Sequence, residues 1–130
     1  MKGGIKMKKA YIIEKNTGLR EVLAAALRFN DYEVETRSEG DELLTKVIDG
    51  ARPNVMLLGT TTSGLDVKMA CRVLKSIYGR NLGIIVLGNG KAEERTEFSE
   101  RGVDAYFRAP LNPENVVETA NAFCHTERFD

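Results

Sequence analysis

The sequence has few of the residues most often used for catalysis and metal binding: one histidine, His125, and two cysteines, Cys71 and Cys124. A lone histidine in the polar C-terminal stretch excludes histidine-based triads and His-rich metal sites. The cysteines lie in distant segments with no CxxC or Cys/His cluster, the pattern of two reduced, buried thiols rather than a zinc site or a disulfide. Charge of one sign is also lacking. With 19 basic and 19 acidic side chains the formal net charge is zero, so no long-range field draws the chain to nucleic acid or to an anionic membrane surface. Long hydrophobic runs are absent too: the opening MKGGIKMKK is followed by only four apolar residues, AYII, far short of a signal peptide core or a membrane span. The expectation is a cytoplasmic protein with neither a membrane nor a nucleic-acid partner.

The chain's 130 residues, 42% of them hydrophobic, suffice for one domain with one core. The expected boundaries are a disordered extension at 1–7, a domain at 8–126 and a tail at 127–130. Four short apolar runs, AYII (10–13), VMLL (55–58), IIVL (84–87) and AYF (105–107), are too short for helices and read as strands buried on both faces. Tyr32 to Thr36 alternates apolar and polar residues, as a strand at a sheet edge does.

Between the strands the period becomes helical. Leu19, Val22, Leu23, Ala26 and Leu27 share one face, as do Leu43, Leu44, Val47 and Ile48, then Val67, Ala70, Cys71, Leu74 and Ile77, and finally Val116, Ala120 and Phe123. Ser38 is placed to cap the second helix, and Gly50 and Gly102 stand where helices end. The fourth helix, about Ala92 to Arg101, offers only Ala92 and Phe98 as apolar residues among its charges and should dock weakly. Glu97 and Arg101 are spaced there as a helical ion pair. Five β-α alternations imply an α/β, doubly wound (βα)5 flavodoxin-like fold around a parallel five-stranded sheet. Functional groups should then gather at the carboxyl ends of the strands.

The loop residues carry a family resemblance. IIEKNTGLREVLAAAL, PNVMLLGTTTSGLD, IIVLG and GVDAYFRAPLNPENV resemble the strand ends and loops of response-regulator receiver domains, the CheY-like modules of two-component phosphorelays. The match runs from about Lys8 to Phe123. It implies strand order 2-1-3-4-5, a cis peptide at Ala109-Pro110, and signalling through the fourth helix, fifth strand and fifth helix. It also implies which positions would carry the chemistry, and at those this sequence departs from the pattern. The acidic pair that holds Mg²⁺ reads Glu14 and Lys15, the aspartate that accepts phosphate reads Gly59, the hydroxyl residue ending strand four reads Gly88, and the lysine before the proline reads Ala109.

A cation at Lys15 would repel a metal about 4 Å away by several kcal/mol at an effective dielectric of about 20, and a glycine cannot form an acyl phosphate. The resemblance therefore implies an atypical pseudo-receiver: not an enzyme, without metal or cofactor, binding protein partners through a surface with Glu94, Glu97 and the switchable aromatic Tyr106, and open to homodimerisation through the fourth helix, fifth strand and fifth helix. On this reading Gly59→Asp would not restore phosphorylation, because Lys15 would pair with the new carboxylate. The alternative is a small-anion or nucleotide-binding flavodoxin-like domain, with contacts from Lys15, Thr60 and Arg108. Thr60 to Ser63 otherwise read as a polar loop.

Overall fold

Residues 7–127 are described by a computed structural model, with side chains from 7 to 124. Of the expected extension at 1–7 and tail at 127–130, residues 1–6 and 128–130 lie outside the described residues; the last helix runs on to Glu127, one residue past the expected domain boundary, and includes His125. In chain order the elements are β1 (Lys8–Ile13), α1 (Thr17–Phe29), β2 (Tyr32–Arg37), α2 (Glu42–Ile48), β3 (Val55–Gly59), α3 (Val67–Tyr78), β4 (Gly83–Gly88), α4 (Ala92–Glu100), β5 (Ala105–Arg108) and α5 (Pro113–Glu127), with a short 3-10 turn (Gly79–Asn81) before β4.

The five strands are parallel and ordered β2-β1-β3-β4-β5. The continuous apolar runs have a direct cause. Successive residues of a strand point to opposite faces; along β1, Ala10 and Ile12 enter the layer shared with α1 and α5, while Tyr11 and Ile13 enter the layer shared with α2, α3 and α4. Both faces of the central strands are covered, so neither set of positions can be polar. Edge strand β2 buries Tyr32 and leaves Glu33 exposed.

Helix starts are fixed by local chemistry. Asn16 Oδ1 accepts the Leu19 N–H at 2.8 Å and Asp66 Oδ1 accepts the Met69 N–H at 3.0 Å, each satisfying a donor the first helical turn leaves over. Ser38 does not cap α2, whose N-cap residue is Asp41 and makes no side-chain cap bond. Gly50 and Gly102, just past the ends of α2 and α4, adopt φ of 117° and 84°, the left-handed region that closes a helix cheaply only with glycine. Lys75 of α3 ties that helix to the sheet: its Nζ lies 2.5 Å from Asp104 Oδ2, which also accepts the Ile84 N–H at 2.8 Å.

Candidate functional site

Parallel pairing of β1 with β3, β3 with β4 and β4 with β5 brings Ile13 beside Leu58, Gly59 beside Leu87 and Gly88 beside Arg108. The loops beyond these strand ends enclose a cavity of about 280 Å³ at the carboxyl edge of the sheet, lined by Glu14, Asn16, Leu19, Thr60, Thr61, Leu87, Gly88, Asn89 and Ala109. The fold thus gathers Glu14, Thr60, Gly88 and Ala109 on one wall, with Gly59 directly behind Glu14. It does not bring in Lys15 or Arg108, whose side chains are exposed and off the wall.

Lys15 is displaced for a local reason. The Asn16 N–H donates to Glu14 Oε2 at 2.8 Å while Asn16 caps α1, a tight turn that folds Glu14 inward and leaves the residue between facing water. Arg20 holds the turn from outside, donating to the carbonyl of Glu14 at 2.8 Å and of Lys15 at 3.4 Å. Lys15 is therefore not the group that occupies the space in front of β3. The described residues contain no cluster of three or more His, Cys, Asp or Glu side chains able to hold a metal.

Glu14 occupies that space instead. It is only 5% exposed, and its carboxylate lies over the α-carbon of Gly59: a Cβ placed there would run into Glu14 Oε1 and come within 2.9 Å of Cδ and 3.4 Å of the Glu14 α-carbon. Glutamate is one methylene longer than aspartate, and that length fits where residue 59 has no side chain. Thr62, read from the sequence as part of a polar loop, is buried and closes the turn below by donating from Oγ1 to the Gly59 carbonyl at 2.8 Å. Only the spacing from Gly59 to Thr62, which allows a hydroxyl to reach back three residues, could have signalled it.

A second substitution follows the same pattern one strand over. A Cβ at Gly88 would meet Glu94 Oε1 and the Tyr106 hydroxyl, with Tyr106 Cζ at 2.6 Å. Tyr106 lies half-buried over the glycine; its hydroxyl donates to Glu94 Oε1 and accepts the Gly90 N–H at 2.8 Å. Glu94 Oε1 also accepts the Asn89 N–H at 2.8 Å. Arg95 lies over the Tyr106 ring, 4.6 Å from its centroid, within cation-π range, and Phe98 packs beside it at 6.3 Å. The β4-α4 loop, α4 and β5 are thus joined through one phenol.

Burial first, and the hydrogen bond to the Glu94 carboxylate second, raise the Tyr106 pKa above the usual tyrosine value of 10.0. A raised phenol contributes stability in full below pH 10 and loses it as pH climbs through the higher folded value. Tyr106 should therefore ionise after an unfolded tyrosine, with the amides of Asn89 and Gly90 shifting in step. An NMR titration of wild type against Tyr106→Phe checks this; alkaline shifts at those amides that persist in the variant would assign them to another group.

Glu97 is engaged differently from its spacing. Its partner is Lys68 of α3, at 2.8 Å, which holds the Glu97 carboxyl below its usual range; Arg101 donates to the Glu97 backbone carbonyl at 2.9 Å instead of to its carboxylate. A charged helix beside a charged neighbour has more than its own i,i+4 options. Ala109-Pro110 is cis, as the turn resemblance implies. Burial pushes the Cys71 thiol up to about 12, which keeps it from the thiolate form a reactive cysteine needs. The cavity wall presents a carboxylate and no basic side chain, a poor environment for an anion.

No protein-family model matches the chain. Among curated proteins it is similar to the response regulator MprA of Mycobacterium ulcerans, 29% identical over 120 residues that cover 92% of this chain and 51% of the relative. It is also similar to MprA of Mycolicibacterium vanbaalenii, 31% identical over 112 residues covering 85% and 48%. The chain spans about half the length of these relatives. Among solved structures it superposes on a response regulator receiver domain protein from Clostridium thermocellum with a TM-score of 0.82 at 18% identity, covering 95% of this chain and 98% of that one. The chemotaxis response regulator CheY4 of Vibrio cholerae gives a TM-score of 0.77 at 23% identity, covering 91% and 99%. The chain thus has the fold of CheY-like response-regulator receiver domains, and over most of its own length its sequence is similar to that of response regulators.

Proposed function

We propose that this receiver domain signals without phosphorylation, as a protein-interaction module whose conformation is set by internal packing. The observation that carries the reading is the double replacement at the strand ends: Glu14 stands in the space of a side chain at residue 59, and Tyr106 with Glu94 in that of a side chain at residue 88. Gly59 offers no nucleophile, and Ala109 no cation to balance a phosphoryl oxygen. With Tyr106 held by Glu94 and Gly90, the aromatic that would respond to phosphate is already tied in place.

The proposed partner surface is α4 with the adjoining β5 and start of α5. Glu94 and Glu97 are committed to Tyr106 and Lys68, so they shape this surface from within, and exposed Lys91, Glu93 and Glu100 are the side chains a partner would meet. Such contacts should weaken with salt. None of the exposed large hydrophobic side chains among the described residues lies on α4, β5 or α5, which argues against a homodimer through that face. The small-anion alternative is weakened by the Glu14 carboxylate and by the distance of Lys15 and Arg108 from the cavity wall. Among the described residues no helix is long and apolar enough to cross a membrane, in keeping with a cytoplasmic role. Any output activity is proposed to reside outside these 130 residues. Intact-mass spectrometry after incubation with Mg²⁺ and acetyl phosphate tests the reading. The expected spectrum carries no phosphoryl adduct; a hydroxylamine-labile adduct would contradict it.

A further inference from the structure

Helix α1 has a second apolar face that the domain itself does not use. Leu23, Ala24 and Leu27 turn into the core. On the opposite side Phe29 is 89% exposed and Val22 51%, and Gly18 and Ala25 are exposed with them. The spacing of 18, 22, 25 and 29 alternates four and three residues, which places all four in one stripe along the helix. A phenylalanine left almost wholly in water costs solvation that a polar residue there would avoid, and contiguous exposed apolar surface marks contact sites.

The stripe is self-complementary. In an antiparallel pair of α1 helices related by a two-fold axis between residues 22 and 25, Phe29 of each copy falls over Gly18 of the other, and Val22 falls over Ala25. Each layer then matches a large residue with a small one. At Gly18 the room is real, since an added Cβ would meet nothing nearer than Asn16 Oδ1 at 3.5 Å. The flanking charges obey the same symmetry: Glu21 and Arg28, seven residues apart on one border of the stripe, face each other across the axis, giving two opposite-charge pairs per dimer. An isologous interface requires this reciprocity, and zero net charge means that the copies do not repel at long range.

We propose that this face of α1 is a self-association surface on which a second copy of the chain packs antiparallel, leaving the α4-β5-α5 surface free. The inference stands independently of how the receiver pocket works.

Sedimentation equilibrium over about a hundredfold range of concentration tests it, because a dimer responds to mass action. The wild type should show a monomer–dimer equilibrium, and Phe29→Ser should weaken it about tenfold or more by removing the largest apolar contact. Glu21→Arg and Arg28→Glu should each weaken it about three- to tenfold. The decisive arm mixes those two single variants. Their heterodimer restores both charge pairs, so the mixture should associate more tightly than either variant alone. Circular dichroism verifies that each variant is folded. A wild type that stays monomeric throughout, a dimer indifferent to Phe29→Ser, or a mixture no tighter than its components would each overturn the proposal.

Discussion

Gly59→Asp is expected to destabilise the domain by about 2–4 kcal/mol and to leave it unphosphorylated. The magnitude combines two effects. Overpacking a filled site costs about 1–3 kcal/mol, and here the added atoms would run into Glu14 Oε1 and its Cδ at 2.9 Å, with the Glu14 α-carbon limiting retreat at 3.4 Å. The second effect is electrostatic. Two carboxylates forced together cannot both ionise freely, so one acid is held protonated above its normal range. A folded pKa raised above the unfolded value makes the penalty larger at neutral pH than below about pH 4. The expectation that Lys15 would pair with the new aspartate is thereby corrected: the neighbour that decides the outcome is Glu14. Urea denaturation at pH 7 and at pH 4 measures the effect, with a reduced midpoint at unchanged slope expected at neutral pH. Gly59→Asp combined with Glu14→Ala should regain most of the loss, because the pair shares one space. A Gly59→Asp protein as stable as wild type would mean that Glu14 moves aside freely.

Gly88→Thr is expected to act less on global stability and more on α4. The added side chain would displace the Tyr106 phenol and the Glu94 carboxylate, both ends of side chains able to swing away, so the steric cost is modest. The lost hydrogen bonds matter more. Without Tyr106 and Glu94 in place, the N–H groups of Gly90 and Asn89 lose their acceptors, and each exchanged bond is worth about 0.5–1.5 kcal/mol. A global loss of about 1–2 kcal/mol should accompany a local opening about tenfold more frequent in the β4-α4 loop, since α4 buries only Phe98. Amide hydrogen exchange reads the local effect. The chain has no tryptophan, so tyrosine emission reads the release of Tyr106. Unchanged exchange at Asn89 and Gly90 would show that the phenol is not what holds α4.

The parallel sheet was legible in the sequence because strands covered on both faces permit no polar residue; VMLL and IIVL can hardly serve otherwise. Helical faces were read less well. Periodicity put Val22 in the core and passed over Ala24, whereas Val22 is exposed and Ala24 buried, since the angle at which a helix lies on a sheet shifts the buried arc by a residue. Ser38 had the right chemistry for a cap but stood too far ahead of α2, whose first turn begins at Glu42. Glu97 turned to Lys68, a pairing that exists only after α3 and α4 come together.

At the candidate site the sequence named the strand-end positions, and the fold brings Glu14, Gly59, Gly88 and Ala109 together. What it could not express was occupancy. That Glu14 fills the place in front of Gly59, and that Tyr106 and Glu94 fill the place at Gly88, depends on side-chain length and on which way a loop turns. The same turn, fixed by Asn16 bonding both Glu14 and Leu19, puts Lys15 outside.

The central claim is that the places of side chains at residues 59 and 88 are filled from within, by Glu14 and by Tyr106 with Glu94, so that phosphate chemistry has no purchase on Tyr106. Amide NMR spectra of the wild-type chain with and without Mg²⁺ and beryllofluoride, a phosphoryl mimic, test it most directly. The account predicts that the resonances of Thr60, Gly88, Asn89, Gly90 and Tyr106 stay where they are; saturable shifts at these residues would contradict it.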